Sequence, residues 1–417
     1  MDSLRILLVN PYRLSVADDA PAFPVLGLPI LAAVLNKAGH KAEVVDLGAA
    51  KKQMKDYPVN SYNIIGFTSL TSNQKGVVES ISQLRYMGYK GLVACGGIYA
   101  TLYPGKMLDW GADLVVTGEC EGNITNLFES GATEIQAGKQ VSIENIPIPD
   151  WEHHTPNITT YSGTVSIIRP KPGITMWTRG CPYSCIFCEN KIFNHRPTRY
   201  RPPENIAEEM AYLYHKGFHN VFIYDDETVG SKMPDGWMKE TADFIHDYNF
   251  NLVTQGRCSE KYITDDLMKD AKRAGINTIF WGVESMSQKV LDAMKKHTTI
   301  DDITHTLKTA RAAGIKNALY FQIGNYLETC EDARETRNMI AKLYKAGLID
   351  YINVFITQVK PGTELGRLAM AEGWYREPPD GWNQMKKVMN GGTPWMNTSE
   401  IYYWKRQYRA VAPTVPL

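Results

Sequence analysis

The chain of 417 residues has no excess of either charge: 45 Lys and Arg face 45 Asp and Glu. No global field therefore draws it to DNA, RNA or an anionic membrane, although a local basic patch is compatible with that balance. Long apolar runs are missing. Stretches such as Leu28 to Leu35 stop within about two helical turns, short of the ~18 residues a membrane span needs. The opening MDSLRILLVN has no basic segment followed by a small-residue cleavage site, so no signal peptide is expected and a cytoplasmic location is. Cysteine is scarce. There are seven, an odd number with three crowded together, which suits a reducing compartment and a metal site better than a disulfide framework. There is no low-complexity tract and no solenoid-like repeat. What is present is an ordinary globular composition, 44% hydrophobic and 22% charged, long enough for two or three domains.

Short apolar runs alternate with helix-like stretches along the first third. Leu4 to Val9 ends in Asn10-Pro11, and Pro29 to Ala38 reads as a helix closed by Gly39. Strands follow at Lys41–Val45, Asn63–Phe67, Gly91–Ala94 and Asp113–Val116, with helices near Gly76–Met87 and Pro104–Trp110. Such alternation implies parallel βαβ units, here an α/β, doubly wound, Rossmann-like sheet of about five strands. Sheets of this kind bind ligands at the carboxyl ends of their strands, where this chain places Asn10, Thr68, Ser69, Thr71, Gly96, Gly97, Gly118 and Glu119. The same residues also suit ordinary βα turns.

From 131 to 172 the periodicity fades and Pro147, Pro149, Pro156, Pro170 and Pro172 accumulate, which marks a linker. The rhythm resumes with strands at Ile174–Thr178, Val221–Tyr224, Asn251–Gln255, Thr278–Gly282, Ala318–Ile323 and Tyr351–Thr357. These six repeats are fewer than the eight of a closed barrel, so residues 173–365 are expected to form a partial, TIM-like (β/α)6 barrel. Prolines and glycines with Trp374, Trp382, Trp395 and Trp404 then suggest a small irregular cap over 366–417.

The sharpest signal is Cys181-Pro182-Tyr183-Ser184-Cys185-Ile186-Phe187-Cys188, a C-x3-C-x2-C triad just after the first strand of the second half. Three thiolates on one loop can each reach a different iron of a [4Fe–4S] cubane, which normally takes four protein ligands, so one iron stays open to a substrate or cofactor. Three buried cysteines, or a zinc site with a distant fourth ligand such as His195, are the alternatives.

On these residues the chain resembles the radical S-adenosylmethionine (SAM) superfamily, whose signature C-x3-C-x-φ-C has an aromatic at φ, here Phe187. The resemblance covers about residues 173–365 and implies a [4Fe–4S] cluster on Cys181, Cys185 and Cys188, with SAM beside it. Asp225-Asp226-Glu227 ends the second strand, where family members hold the SAM amino group; the usual Gly-Gly-Glu is replaced by a variant common in members with an extra N-terminal domain. Gln255-Gly256-Arg257 ends the third strand, Gly282-Val283-Glu284-Ser285 the fourth and Ile323-Gly324-Asn325 the fifth. By resemblance Arg257, Glu284 and Ser285 contact the SAM carboxylate and ribose, and residues around Gly324 its adenine. Taken singly, Asp225 to Glu227 also fit a helix N-cap, Glu284 a cap for the helix at Ser287, and Arg257 a surface ion pair. All of them fall on the rim where βα-repeat sheets build their sites.

Residues 1–130 have their own resemblance. Asn10-Pro11, Leu26-Gly27-Leu28-Pro29, Ala38-Gly39-His40, Val45-Asp46-Leu47, Gly66-Phe67-Thr68-Ser69, Gly96-Gly97-Ile98-Tyr99 and Gly118-Glu119-Cys120-Glu121-Gly122 are similar to the cobalamin-binding domain fused to many radical SAM enzymes. Gly96-Gly97 lets backbone approach a bulky ligand, and Thr68, Ser69 and Thr71 offer hydroxyls to its nucleotide tail. The D-x-H-x-x-G cobalt motif is missing. His40, after the helix-ending Gly39, reads as a surface residue, so the resemblance implies cobalamin without the usual histidine on cobalt.

Cys95, Cys120, Cys258 and Cys330 read as buried small hydrophobes, His153-His154 as a polar pair, and Lys295-Lys296-His297 as a solvated helix end. Together the resemblances imply a cobalamin-dependent radical SAM methyltransferase acting on an unactivated carbon. An external flavodoxin- or ferredoxin-type donor and a small-molecule or peptide substrate are expected as partners, and a nucleic acid is not. The same radical also serves ring formation, rearrangement or other group transfers with cobalamin as redox partner or absent. A cluster-bearing sensor without turnover is the alternative of a different class.

Overall fold

A computed structural model describes residues 3–11, 23–161, 171–193, 197–360, 362–376 and 391–415. Pro170, His195, Pro361, Trp382 and the other cap residues from 377 to 390 lie outside the described residues. The described chain divides into two compact units, one built from residues up to 161 and the other from nearly all those from 171 onward.

In the first unit β1 (Arg5–Asn10), β2 (Lys41–Asp46), β3 (Ile64–Thr68), β4 (Leu92–Gly96), β5 (Leu114–Thr117), β6 (Glu134–Ala137) and β7 (His154–Thr155) form one parallel sheet in the order β6-β5-β4-β3-β1-β2-β7. Its central strands are apolar on both faces because both are covered. Leu7, Val9, Ile65, Phe67 and Val93 join one core with Val77, Ile81 and Leu84 of the helix Gln74–Tyr86. Ile6, Leu8, Val44 and Ile64 join the other with Leu28, Ala32 and Leu35 of the helix Gly27–Lys37. Each buried Leu or Ile contributes about 1.5–3 kcal/mol. The helix after β1 and the helix after β3 thus lie on opposite faces, which makes the β1/β3 boundary the topological switch point.

Two strands come from the segment expected to be a linker. β6 pairs with β5, yet it is almost wholly unburied and so lacks the apolar signature. β7 pairs with β2 through Val44 and His154. His154, expected as one of a polar pair, is buried, with Nδ1 2.9 Å from the Pro156 carbonyl, and burial lowers its pKa. His153 is exposed beside Asp150.

The second unit holds six parallel strands in consecutive order: β8 (Pro172–Thr175), β9 (Asn220–Ile223), β10 (Asn251–Gly256), β11 (Ile276–Glu284), β12 (Lys316–Ile323) and β13 (Tyr351–Ile356). The register is that of a (β/α) barrel left open, since β8 and β13 are not paired with each other. Helices between the strands are started by local signals, such as the capping boxes of Thr299 with Asp302 and Thr329 with Asp332. A register shift between Gly282 and Glu284 bulges β11 and puts Glu284 at φ 68°, a device that re-aims a side chain at a strand end.

The C-terminal cap is less irregular than its prolines and glycines suggest. Asn397 and Glu400 form a capping box for the helix Thr398–Arg409, which buries Ile401, Trp404 and Tyr408 at helical spacing and packs on β12 and β13. Beyond it, Ile352 of β13 donates to the Pro413 carbonyl at 2.8 Å.

Candidate functional site

The cysteine loop leaves β8 and is fastened from several sides. Asp226 Oδ2 accepts from the amide of Gly180 at 3.0 Å, where φ is 94° and glycine is therefore favoured. Ile186 is buried, its amide donating to the Met294 carbonyl at 3.1 Å and its carbonyl accepting from Leu365 at 2.8 Å. The Cys188 amide closes a turn on the Cys185 carbonyl at 3.1 Å. Donors point at the sulfurs: the Asn190 amide lies 3.5 Å from Cys188 Sγ, and Arg257 Nη1 3.6 Å from Cys185 Sγ. Burial pushes the Cys181 and Cys188 thiols up, so thiolates here need a compensating cation, which iron supplies. Among the described residues no group of three or more His, Cys, Asp or Glu converges to hold a single metal ion. A zinc ion needs that convergence, whereas thiolates on three different irons do not.

The three acidic residues after β9 divide the work expected of them jointly. Asp225 is buried. Its Oδ1 accepts from the amides of Trp177 and Thr178 at 2.7 and 3.0 Å, and Oδ2 from the Thr228 hydroxyl at 2.9 Å. It clamps the chain entering the cysteine loop with both oxygens engaged, and burial raises its pKa to about 7. Asp226 is exposed and holds Gly180. Glu227 is buried, with Oε2 3.2 Å from Cys181 Sγ and Oε1 without a hydrogen-bond partner. Burial raises its pKa. The helix-cap alternative fails, because the next helix starts only at Trp237 after Gly236.

Arg257 is not a surface residue. It is buried, its guanidinium lies 3.7 Å over the Tyr183 ring, and Nη2 has no partner. Gln255 Nε2 is bound to the Asp225 carbonyl. Glu284 is buried between Lys296 Nζ at 3.1 Å and Gln322 Nε2 at 2.9 Å, so it caps no helix. Lys296 departs from the solvated reading: it is buried, and although burial pulls its pKa down, Glu284 outweighs that and the pKa is raised. Ser285 turns away from the rim. It is fully buried, its hydroxyl 3.2 Å from Thr336 Oγ1 and accepting from the Ser287 amide at 3.1 Å. Gly324, at φ 82°, donates to Glu328 Oε2 at 2.8 Å and lines a small surface hollow with Ile356, Thr357, Trp374, Tyr375 and Ile401. Tyr183 and Lys296 escaped the sequence reading. Tyr183 lies inside the cysteine motif, but only burial distinguishes Lys296 from its exposed neighbours.

In the first unit the strand ends gather as expected. Asn10 is buried, Nδ2 donating to Asp46 Oδ2 at 2.7 Å and Oδ1 without a partner. The Tyr161 hydroxyl donates to the same Asp46 oxygen at 3.1 Å. Across the switch point the Ser69 hydroxyl is fully buried and unpartnered. Thr68 and Thr71 are buried beside it in sequence. Gly118 donates to Thr101 Oγ1 at 2.9 Å, and Glu119 accepts from Gln140 at 3.2 Å. Gly96 is partly exposed at the end of β4, with room for a Cβ no nearer than 3.6 Å to the Val116 carbonyl. Gly97 has φ 97°, and a Cβ there would lie 2.7 Å from the Ser69 carbonyl. Small residues and two orphaned buried oxygens at adjoining strand ends fit a ligand with polar groups, as cobalamin's tail is. His40 is a correction: it is buried, receives the Leu4 amide on Nδ1 at 3.4 Å and places Nε2 3.4 Å from Glu129. It precedes β2, at the opposite end of the strands from these residues. Of the scattered cysteines, Cys95 and Cys258 are buried and Cys120 and Cys330 only partly so; none of the seven is in a disulfide.

A family model described as the radical SAM superfamily matches residues 175–357, and one described as a B12 binding domain matches residues 12–128. An uncharacterized methyltransferase of Pyrococcus horikoshii is 24% identical over 403 residues, 89% of this chain and 84% of its own length. An anaerobic magnesium-protoporphyrin IX monomethyl ester cyclase of Cereibacter sphaeroides is 24% identical over 365 residues, 81% of this chain but 59% of its own length. Among solved structures, the radical SAM methyltransferase TsrM of Kitasatospora setae with cobalamin and a [4Fe–4S] cluster bound has a TM-score of 0.67 at 17% identity, over 91% of this chain and 80% of its own. With tryptophan substrate and a SAM analogue bound, TsrM gives 0.70 at 17% identity, over 90% and 78%. At that identity the likeness concerns the fold. No helix among the described residues is long and apolar enough to cross a membrane.

Proposed function

Because residues 175–357 match the radical SAM superfamily and residues 12–128 a B12 binding domain, we propose that the chain is a cobalamin-dependent methyltransferase acting on an unactivated carbon. One observation carries the reading of the site. Beside the cysteine loop stand a buried acid and a buried base, Glu227 and Arg257, each with one polar atom left unpaired. An ammonium and a carboxylate on one ligand satisfy both, and the methionine end of SAM has that pair. Leaving either atom unmet costs about 1–3 kcal/mol, and more for a charged group, a cost that binding removes.

When bound, the reduced cluster and SAM supply a 5′-deoxyadenosyl radical and cobalamin supplies the methyl group. The chain's own part is placement. Cys181, Cys185 and Cys188 would hold the cluster; Glu227 and Arg257 would orient the methionine end; Glu284, fixed by Lys296 and Gln322, would face the ribose; and residues around Gly324 would lie against the adenine. Asn10, Thr68, Ser69, Thr71, Gly96, Gly97, Gly118 and Glu119 form the cobalamin edge. Electrons come from a flavodoxin- or ferredoxin-type donor, and the substrate is a small molecule or peptide.

The test is an anaerobic assay of protein reconstituted with iron, sulfide and cobalamin, with a low-potential reductant and SAM. Both 5′-deoxyadenosine and S-adenosylhomocysteine are expected, and neither from the triple alanine variant of Cys181, Cys185 and Cys188. Deoxyadenosine without S-adenosylhomocysteine would replace methyl transfer by another radical reaction.

A further inference from the structure

The six-stranded sheet has two unlike faces. Phe321 faces the helix Thr398–Arg409, its ring 6.1 Å from that of Tyr408. Side chains alternate along a strand, so Tyr320 and Gln322 lie on the other face, and there rings form a tier. Phe280 stacks on Tyr320 with centroids 4.9 Å apart and planes 18° apart, and Tyr320 meets Phe355 at 5.6 Å. Phe222 and Tyr224 add a second pair 5.8 Å apart. Two of these rings are open: Tyr224 is 56% exposed and Phe355 51%, although large apolar side chains on a central sheet are ordinarily covered.

The tier is continuous with the candidate SAM rim. Gln322, which binds Glu284 at 2.9 Å, is two residues beyond Tyr320 on the same face, about 7 Å along the strand. Aromatic walls favour flat ring systems over saturated groups of equal area because ring quadrupoles prefer stacked or edge-to-face partners. We propose that this tier is the substrate subsite and that it takes a planar conjugated ring, with the carbon to be methylated carried at the ring's edge toward the rim. The inference rests on the methyltransferase reading and adds the chemical class of its substrate.

The test uses reconstituted holoenzyme with SAM and three probes: L-tryptophan for a small ring, protoporphyrin IX for a large one and cyclohexylalanine as the saturated control. At least one aromatic probe should bind about tenfold more tightly than cyclohexylalanine. Phe355→Leu and Tyr224→Leu should each weaken it about two- to tenfold, with iron content and SAM binding unchanged. Preference for tryptophan or for the porphyrin sets the ring size. Equal binding of the saturated control, no binding of either aromatic probe, or unaltered affinity in both variants would overturn the proposal. Any of these results alongside formation of both 5′-deoxyadenosine and S-adenosylhomocysteine would leave the methyltransferase reading standing.

Discussion

Replacing Asp225 with Asn separates a structural clamp from a ligand. The folded protein holds the Asp225 proton up to about pH 7, whereas the unfolded chain releases it near the ordinary aspartate value of 3.8. Between those values the native state binds more protons than the unfolded one, so this residue makes stability fall as pH rises. At about 1.4 kcal/mol per unit over about 3 units, the loss amounts to about 4 kcal/mol and is complete above pH 7. Asparagine is neutral throughout and keeps one carbonyl oxygen for the Trp177 and Thr178 amides, so it imitates the protonated acid. Urea unfolding of both apoproteins from pH 4 to 8 should show the variant gaining on the wild type by up to about 4 kcal/mol. SAM affinity of the reconstituted variant should change less than about threefold. Parallel pH profiles would refute the burial argument, and a tenfold or greater loss of SAM binding would return Asp225 to the ligands.

Glu227→Gln, by contrast, should weaken SAM binding about tenfold or more in calorimetry with iron content intact, since it removes the buried charge facing the ammonium. Lys296→Met strands Glu284 as an unpaired buried carboxylate, and thermal or urea unfolding should show a loss of about 3–5 kcal/mol, partly restored by adding Glu284→Gln. Cobalamin bound to the first unit should be base-off without a protein histidine, so its Co(II) paramagnetic resonance should lack axial-nitrogen splitting. Splitting that disappears in His40→Ala would contradict the placement of His40 at the far end of the strands. Gly97→Val should destabilise the first unit even without cobalamin, because its Cβ meets the Ser69 carbonyl.

Both sheets were legible as alternating apolar runs and helices, since strands buried on two faces read as short continuous hydrophobic stretches. β6 and β7 were not, because one is an exposed edge and the other only two residues long. The cap helix was hidden by its surroundings of proline and glycine, although Ile401, Trp404 and Tyr408 carried its apolar stripe.

The spacing of Cys181, Cys185 and Cys188 was sufficient by itself to indicate a cluster loop, because their geometry is set within one short stretch of chain. The strand-end positions of Glu227, Arg257 and Glu284 were likewise local, following from where each apolar run stops. Only the tertiary structure decided what each side chain does there. Asp225 and Glu227 are two residues apart in one acidic run, yet one is spent on the backbone of Trp177 and Thr178 while the other keeps a free oxygen. Lys296 and His40 look like surface cations until folding buries them beside Glu284 and Glu129. Asp46 acquires Tyr161 as a partner from 115 residues away. Burial and pairing depend on groups that meet only when the strands are laid side by side, and no pattern within a single run records them.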